Sequence, residues 1–256
     1  ILEMSYNWLA GLVTVIGTIV AIALGQLLVF KIPSIAKTRD LNNAQNKEKW
    51  RNRAKKYHDR VKISQKLGLG VNLIFYILFM PFLVTLQAQS VAKIALDVVM
   101  IMMIYDFFYY LMHRFLFHGQ GYLRQVHAVH HQARSRISSI YSHRLHPVEL
   151  IMGVALFYAV TSGIAIVSGQ ALHVSTIIIA TVIYTQLNQI NHCRIDLQSY
   201  PWKTLNWIAI RHDAHHLDMH KGNFATITLL YDWMFGTLEI HPIEQTAVGQ
   251  NQATGK

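Results

Sequence analysis

Long stretches without a formal charge constrain this chain more than any other feature. Between Glu3 and Lys31 lie 27 residues with no Asp, Glu, Lys or Arg. As a helix they would extend about 40 Å, and the hydrocarbon core of a bilayer is about 30 Å thick. Residues 6–30 therefore predict a first membrane helix. Only 14% of all residues are charged, whereas about a quarter are charged in a typical soluble domain.

Two further apolar stretches follow in residues 67–112. The stretch 67–92 carries no formal charge, and Pro81 inside it predicts a kink rather than a stop. Residues 94–112 are apolar except for two aspartates. Residues 67–112 are therefore interpreted as the second and third membrane helices.

The longest uncharged stretch covers residues 150–193. As a single helix it would reach about 66 Å, roughly twice the thickness of the bilayer core. Gly163, Gly169 and Gln170 offer places to turn. Residues 150–192 therefore predict a helical hairpin, either spanning or re-entrant.

The basic residues concentrate between the first two membrane helices. Residues 31–66 contain twelve Lys or Arg and three acids, which the positive-inside rule assigns to a cytoplasmic loop. No nucleic-acid fold signature accompanies them, so no nucleic-acid partner is expected. Successive membrane helices cross the bilayer in opposite directions. Counting from this loop, residues 113–149 and the C-terminal part 193–256 therefore lie on the same face as the loop. The predicted location is a bacterial inner membrane or the endoplasmic reticulum, with these parts facing the cytoplasm.

Histidines cluster at that face in four groups, "HRFLFH", "HAVHH", "NQINH" and "HDAHH". On a helix, positions i, i+3 and i+4 project from one side, so each HxxHH motif presents three imidazoles together. Neutral imidazole is a common ligand for iron, zinc, copper and nickel. Nine such ligands exceed the needs of one metal, so we expect two. The predicted ligands are His113, His118, His127, His130, His131, His192, His212, His215 and His216.

Several polar residues near the clusters are candidates for supporting roles. Asp106 lies two helical turns before His113 on about the same face, and an acid inside an apolar helix indicates a function. We expect it to accept a hydrogen bond from a ligating imidazole. Four others can either serve the site or fix local structure: Asp213, Asp218, His143 and His146. The isolated His58, His173 and His241 lack ligand spacing and are interpreted as structural.

Together these motifs resemble the fatty acid hydroxylase / sterol desaturase superfamily of integral-membrane di-iron enzymes. Its pattern is HX4H, HxxHH, a single histidine on a later helix, and a second HxxHH. Here "DFFYYLMHRFLFH", "HAVHH", "NQINH" and "HDAHH" match it, and "HRLHPVE" and "NFATITLLYDWMFGT" are subsidiary matches. The resemblance covers about half the chain, from Asp106 to Thr237. Some members carry another histidine where this chain has Asn188, which could hold a water or contact a metal weakly.

The resemblance implies two non-haem irons that use O2 to oxidise an unactivated C–H bond of a lipid such as a fatty acyl chain or sterol. Hydroxylation is the expected outcome and desaturation a close variant, with no catalytic residue separate from the metal ligands. Zinc is expected as a substitute metal in overexpressed protein. No haem or flavin segment is apparent, so electrons should come from a separate cytochrome b5-, ferredoxin- or rubredoxin-type donor.

Two other functions stay open on the residues alone. A histidine-rich membrane metal transporter would also place imidazoles near lipid, although transporters usually bind ions at the bilayer midplane. A zinc-dependent membrane hydrolase would need fewer protein ligands and an open coordination position. The predicted fold is an all-α integral membrane protein with four to five membrane helices, of which the last two form a spanning or re-entrant hairpin. A cytoplasmic helical layer that carries the histidine-rich dimetal site caps these helices, and residues 1–256 form one catalytic domain.

Overall fold

A computed structural model of the chain describes residues 5–53, 55–132, 144–193, 199–200 and 202–242. Nearly all regular structure in these residues is helical, as predicted. The helices are α1 (Trp8–Val29), α2 (Pro33–Arg51), α3 (Lys55–Leu78), α4 (Met80–Leu83), α5 (Val91–Leu111), a π-helical segment (Met112–Phe117), α6 (Tyr122–His131), α7 (Pro147–Ser168), α8 (Val174–Ile190), α9 (Trp202–Leu217) and α10 (Leu230–Met234).

Three of the described helices, α1, α3 and α7, are long and apolar enough to cross a membrane. On α1 the polar Thr14 and Thr18 are buried, with hydroxyls donating to carbonyls one turn earlier. Large apolar side chains such as Ile19 point outward and are 63% exposed. This arrangement fits a lipid-facing surface. The total of four to five membrane helices depends on α5 and the shorter apolar α8, and stays a prediction.

The apolar core lies where α5, α7 and α8 pack together, with α1 against α8 and α3 against α7. Two glycines allow α1 to approach its neighbours closely. A Cβ on Gly11 would lie 2.8 Å from the Pro81 ring, and one on Gly17 would lie 2.5 Å from Ile178 Cδ1. Small residues serve the same purpose between helices in membranes generally.

The basic segment 31–66 is helical rather than an irregular loop. It contains α2 and the first half of α3. Its sequence has no glycine, and its one proline, Pro33, lies in the first turn of α2, where proline is tolerated. Strong helix formers such as Lys, Gln and Glu fill much of the rest. Its cytoplasmic location stays a prediction.

The expectation that one kinked helix passes through Pro81 and continues to residue 92 is wrong. Instead α3 ends at Leu78, the one-turn α4 follows, and the chain then extends as β1 (Val84–Thr85). Proline interrupts the helix because it has no backbone N–H and its ring collides with the preceding turn.

The uncharged stretch 150–192 forms two helices, α7 and α8, joined by a short turn. Gly169 adopts a left-handed conformation with φ of 63°, which glycine takes without strain. The strand β2 (Leu172–His173) follows and pairs in parallel with β1. These two-residue strands are the only sheet in the described residues, which confirms the prediction of an essentially all-α fold.

Candidate metal centre

The first histidine pair lies on a π-helical segment that continues α5. The His118 backbone N–H donates to the His113 carbonyl over 2.9 Å, an i→i+5 hydrogen bond. In an α-helix, positions five apart point in different directions, and the wider π-turn brings them back to one side. The two imidazole centroids are consequently 4.9 Å apart.

The remaining clusters lie on α6, on α9 and at the end of α8. All three histidines of each HxxHH motif are buried, and so is His192 just after α8. The structure brings all nine predicted histidines into two groups, within each of which one ligand atom per residue lies within 4.8 Å of the others. The five-histidine group is His113, His118, His127, His131 and His215, and the four-histidine group is His130, His192, His212 and His216.

Each HxxHH motif divides its histidines between the two groups. On α6, His127 and His131 join the five-histidine group, and His130 joins the other. On α9 the division is reversed, because only the middle histidine, His215, joins the five-histidine group. Two adjacent sites therefore share two helices.

Hydrogen bonds at Nδ1 fix how several imidazoles point. The acceptors are backbone carbonyls for His113 (Phe224, 2.6 Å), His118 (Met219, 2.7 Å), His192 (Asn188, 2.8 Å) and His215 (Gly222, 2.8 Å). Because a carbonyl oxygen can only accept, Nδ1 must carry the proton in each of these rings. In the neutral ring, the lone pair is then at Nε2.

These Nε2 lone pairs converge on one another. In the five-histidine group, Nε2 of His127 is 2.9 Å from Nε2 of both His113 and His131. In the four-histidine group, Nε2 of His192 is 3.2 Å from that of His130 and 3.1 Å from that of His212. Where both rings keep the proton at Nδ1, no hydrogen lies between the two nitrogens, and a cation relieves their repulsion. The buried Nε2 of His118 also has no hydrogen-bond partner. The residues thus fit two metal ions bound by nitrogen.

Burial also favours the protonation state that binds metal. Burial lowers the pKa of His118 to about 4 and that of His215 to about 3. The pKa values of His113, His127 and His216 also lie well below the usual value, first because of burial and then because of neighbouring imidazoles. At neutral pH these rings are uncharged, which is the form that donates a lone pair to a metal.

Glu149 is a site residue that sequence reasoning missed. It lies in the first turn of α7, is 4% exposed, and accepts a 2.7 Å hydrogen bond from Nδ1 of His127 through Oε1. A carboxylate behind a ligating imidazole fixes the orientation of the ring and strengthens its donor nitrogen. The available signal was an acid at the start of an apolar helix, directly after "HRLHPV".

The predicted role of Asp106 is wrong. Its fully buried carboxylate accepts from the backbone N–H groups of Thr226, Ile227 and Thr228, at 2.9, 2.8 and 2.9 Å, rather than from an imidazole. Asp232, also overlooked, accepts from the next two N–H groups upstream, those of Phe224 and Ala225. Both acids therefore shape the segment whose Phe224 carbonyl holds His113.

Three of the other supporting candidates make local hydrogen bonds, namely Asn188, His146 and Asp218. The Asn188 side chain donates to Tyr184 O within its own helix, while its backbone carbonyl holds His192. His146 caps α7 by accepting from the Val148 N–H. Asp218 accepts from the His220 N–H in the turn after α9. Two others complete the set: Asp213 lies 3.3 Å from His241, and His143 falls outside the described residues.

The isolated histidines make contacts of other kinds. His58 packs against the Trp50 ring, His173 caps α8 by accepting from the Ser175 N–H, and His241 contacts Asp213. None of the three belongs to the metal-ligating groups found among the described residues.

A cavity of about 210 Å³ opens beside the histidines. It lies between α3, α5, α7 and α8, and both histidine groups contribute to its wall. Its surface is mainly apolar, with Leu150 and Val154 on α7. Gly68 and Gly153 widen it where α3 faces α7. The cavity therefore places an apolar space between helices next to the candidate metals.

Comparison with known proteins gives a family match over the part of the chain that carries the histidines. The fatty acid hydroxylase family model matches residues 98–237. A methylsterol monooxygenase of Arabidopsis thaliana is 27% identical over 155 residues, which are 57% of this chain and 53% of the relative. A very-long-chain aldehyde decarbonylase of Oryza sativa is 28% identical, over 52% of this chain and 48% of the relative.

A cholesterol 25-hydroxylase-like protein of Danio rerio is 29% identical, over 59% of this chain and 53% of the relative. The chain thus spans about half the length of the curated relatives it matches. No solved structure matches it. The names of these relatives describe a monooxygenase, a decarbonylase and a hydroxylase-like protein, each with a different substrate.

Proposed function

The chain belongs to the fatty acid hydroxylase family, and from that membership we propose that it is an O2-dependent lipid oxygenase with two non-haem irons. The observation that carries the proposal is the convergence of nine imidazoles, eight of them buried and that of His118 half-buried, into two groups whose Nε2 atoms approach one another. All-nitrogen ligation suits iron in a redox role. Two bound irons would supply the capacity to reduce O2 and oxidise an unactivated C–H bond.

In this proposal the five-histidine group holds one iron and the four-histidine group holds the other. Backbone carbonyls and Glu149 keep the Nδ1 protons in place, so that the Nε2 atoms face inward. The four-histidine group would hold its iron with one fewer protein ligand, which would make that iron more accessible to O2. Asn188 borders the cavity near this group and would be able to orient a water there.

The proposed substrate is a lipid that enters the cavity from the bilayer. The mostly apolar wall favours a fatty acyl chain, a sterol or another lipid skeleton, and excludes bulk water from the reacting carbon. Hydroxylation is the proposed outcome, with desaturation differing only in where the substrate carbon sits. A cytochrome b5-, ferredoxin- or rubredoxin-type protein would supply the electrons.

The first test is metal analysis of protein purified anaerobically from iron-replete cells. About two irons per chain are expected in the unmodified protein. His130→Ala removes one of four ligands from the smaller group, so it should lose about one iron. His220→Ala is the matched control, since His220 is exposed and belongs to neither group.

The second test is O2 consumption with a reductant and lipid extracts, followed by identification of the oxidised lipid. Consumption that depends on lipid and is lost in His130→Ala supports the oxygenase. Bound iron without O2 consumption under any lipid would favour metal transport. Hydrolysis of a lipid by zinc-loaded protein, without O2, would favour a zinc hydrolase.

A further inference from the structure

The segment of residues 224–235 passes alongside α5, and its exposed end, residues 230–235, forms an apolar surface outside the three long apolar helices. From Gly222 to Leu238 the only formal charge is Asp232, and that side chain is fully buried. Trp233 and Met234, in contrast, are 69% and 56% exposed. Exposed apolar side chains without an intervening charge indicate a surface that meets something other than water.

The position of this segment along α5 indicates that the partner is lipid. The Tyr231 hydroxyl donates to the Met103 carbonyl over 2.9 Å. Met103 lies eight residues before the end of α5, which is about 12 Å back along the helix axis. The segment therefore runs beside the body of α5, which itself packs against the apolar α7.

The apolar surface of the segment continues onto α5. Leu96, Val99 and Phe108 of α5 are 58%, 55% and 47% exposed, and Phe107 of α5 contacts the Tyr231 ring with centroids 5.3 Å apart. Tryptophan is enriched where a membrane protein meets the lipid headgroups.

The backbone N–H groups at the start of the segment are hydrogen-bonded by the protein itself. Five consecutive N–H groups, from Phe224 to Thr228, are all bound by two buried carboxylates, those of Asp106 and Asp232. Irregular backbone at membrane depth occurs where protein satisfies its polar groups, because lipid cannot. The segment therefore meets the condition for irregular backbone at the membrane.

We propose that residues 230–235 insert into the membrane interface, with Leu230, Trp233 and Met234 in contact with lipid. The bilayer then holds the segment against α5, and the buried start of the same segment supplies the Phe224 carbonyl that orients His113. The lipid surface thereby supports the geometry of the histidine groups. This proposal concerns the membrane and does not depend on the reaction.

Site-directed labelling tests it in the intact protein. Cys193 is the only cysteine, so Cys193→Ser gives a background in which Trp233→Cys carries an NBD fluorophore. The protein is placed in phosphatidylcholine nanodiscs and quenched with 5-doxyl phosphatidylcholine or aqueous iodide. Val20→Cys in α1 is the lipid-side control, and Lys203→Cys at the exposed start of α9 is the water-side control.

The label at 233 is expected to be quenched by doxyl lipid at least threefold more than the label at 203, and by iodide at least threefold less. Met234→Cys, on the same exposed surface, should behave alike, so that one misfolded variant cannot decide the result. Iodide quenching equal to that at position 203 would overturn the proposal. Protection from both quenchers would also overturn it, because a second copy of the chain would then cover the surface.

Discussion

At the residue scale, Glu149 determines how His127 presents its Nε2 atom. Changing it to alanine removes the acceptor for Nδ1 and leaves the buried ring free to turn. Loss of such a partner typically weakens metal binding by about 10- to 100-fold. We therefore expect Glu149→Ala to retain about one iron per chain, measured after dialysis against a weak chelator.

Glu149→Gln is the matched control, because the glutamine carbonyl can still accept from His127. It should keep about two irons. Equal loss in both variants would show that the charge of Glu149, rather than its hydrogen bond, is what the site requires.

Asp106 is a second residue whose effect can be predicted in sign and size. Its carboxylate accepts from three backbone N–H groups and from the Thr228 hydroxyl, all in buried or half-buried positions. A buried donor left without an acceptor costs about 1–3 kcal/mol. Asp106→Leu should therefore lower the free energy of unfolding by roughly 3 kcal/mol or more, measured by thermal or denaturant unfolding in detergent.

Asp97→Asn on the same helix provides the comparison for Asp106. That change removes only the ion pair with Lys93, whose side chain is 30% exposed. It should cost about 1 kcal/mol or less. If the two variants were equally stable, the Asp106 carboxylate would not be needed to hold the 226–228 backbone.

At the element scale, the sequence predicted which histidines lie on one side of a helix. It did not predict how those histidines divide between the two metal sites. The i, i+3, i+4 pattern is a local property of one helix, so it places three imidazoles on one side of α6 and of α9. Which of the three turns toward which metal depends on how α6 and α9 cross, and no single helix contains that information. Asp106 was misassigned for the same reason, since its partners lie 120 residues away.

The π-helical segment allows the two histidines of the HX4H motif to lie on the same side of the helix. Deleting Leu116, whose side chain is exposed, would leave the two histidines four apart. In a regular α-helix such residues share a face, so this deletion should retain about two irons. Inserting one alanine after Leu116 would place them six apart and on different sides, and should release about one iron.

Circular dichroism provides the check that both length variants remain helical. A deletion that loses as much iron as the insertion would mean that the π-turn itself, rather than the shared face, is required.

At the scale of the whole molecule, the metals and the fold are expected to stabilise each other. The clusters come from the π-helical segment, α6, α9 and the end of α8, so the two sites join parts of the chain that are distant in sequence. The hydrophobic pattern indicated the apolar helices α1 and α7, because each of these stretches is long enough by itself to cross a bilayer. It could not predict that residues 226–235 return to α5, because that contact joins two segments far apart in sequence.

Removing the metals should therefore destabilise both histidine groups and the helices that carry them. Without a cation, Nε2 atoms 2.9 Å apart in the His113–His127–His131 set face one another in a buried space. A ligand present at about a thousand times its Kd stabilises the folded state by about 4 kcal/mol, which for a chain of this size is about 10 °C in Tm. We expect chelation to lower Tm by about that amount, and iron added anaerobically to restore it. His130→Ala, which weakens only the four-histidine group, should show a smaller drop on chelation. An unchanged Tm after verified loss of iron would mean that hydrogen bonds alone maintain the structure of the two histidine groups.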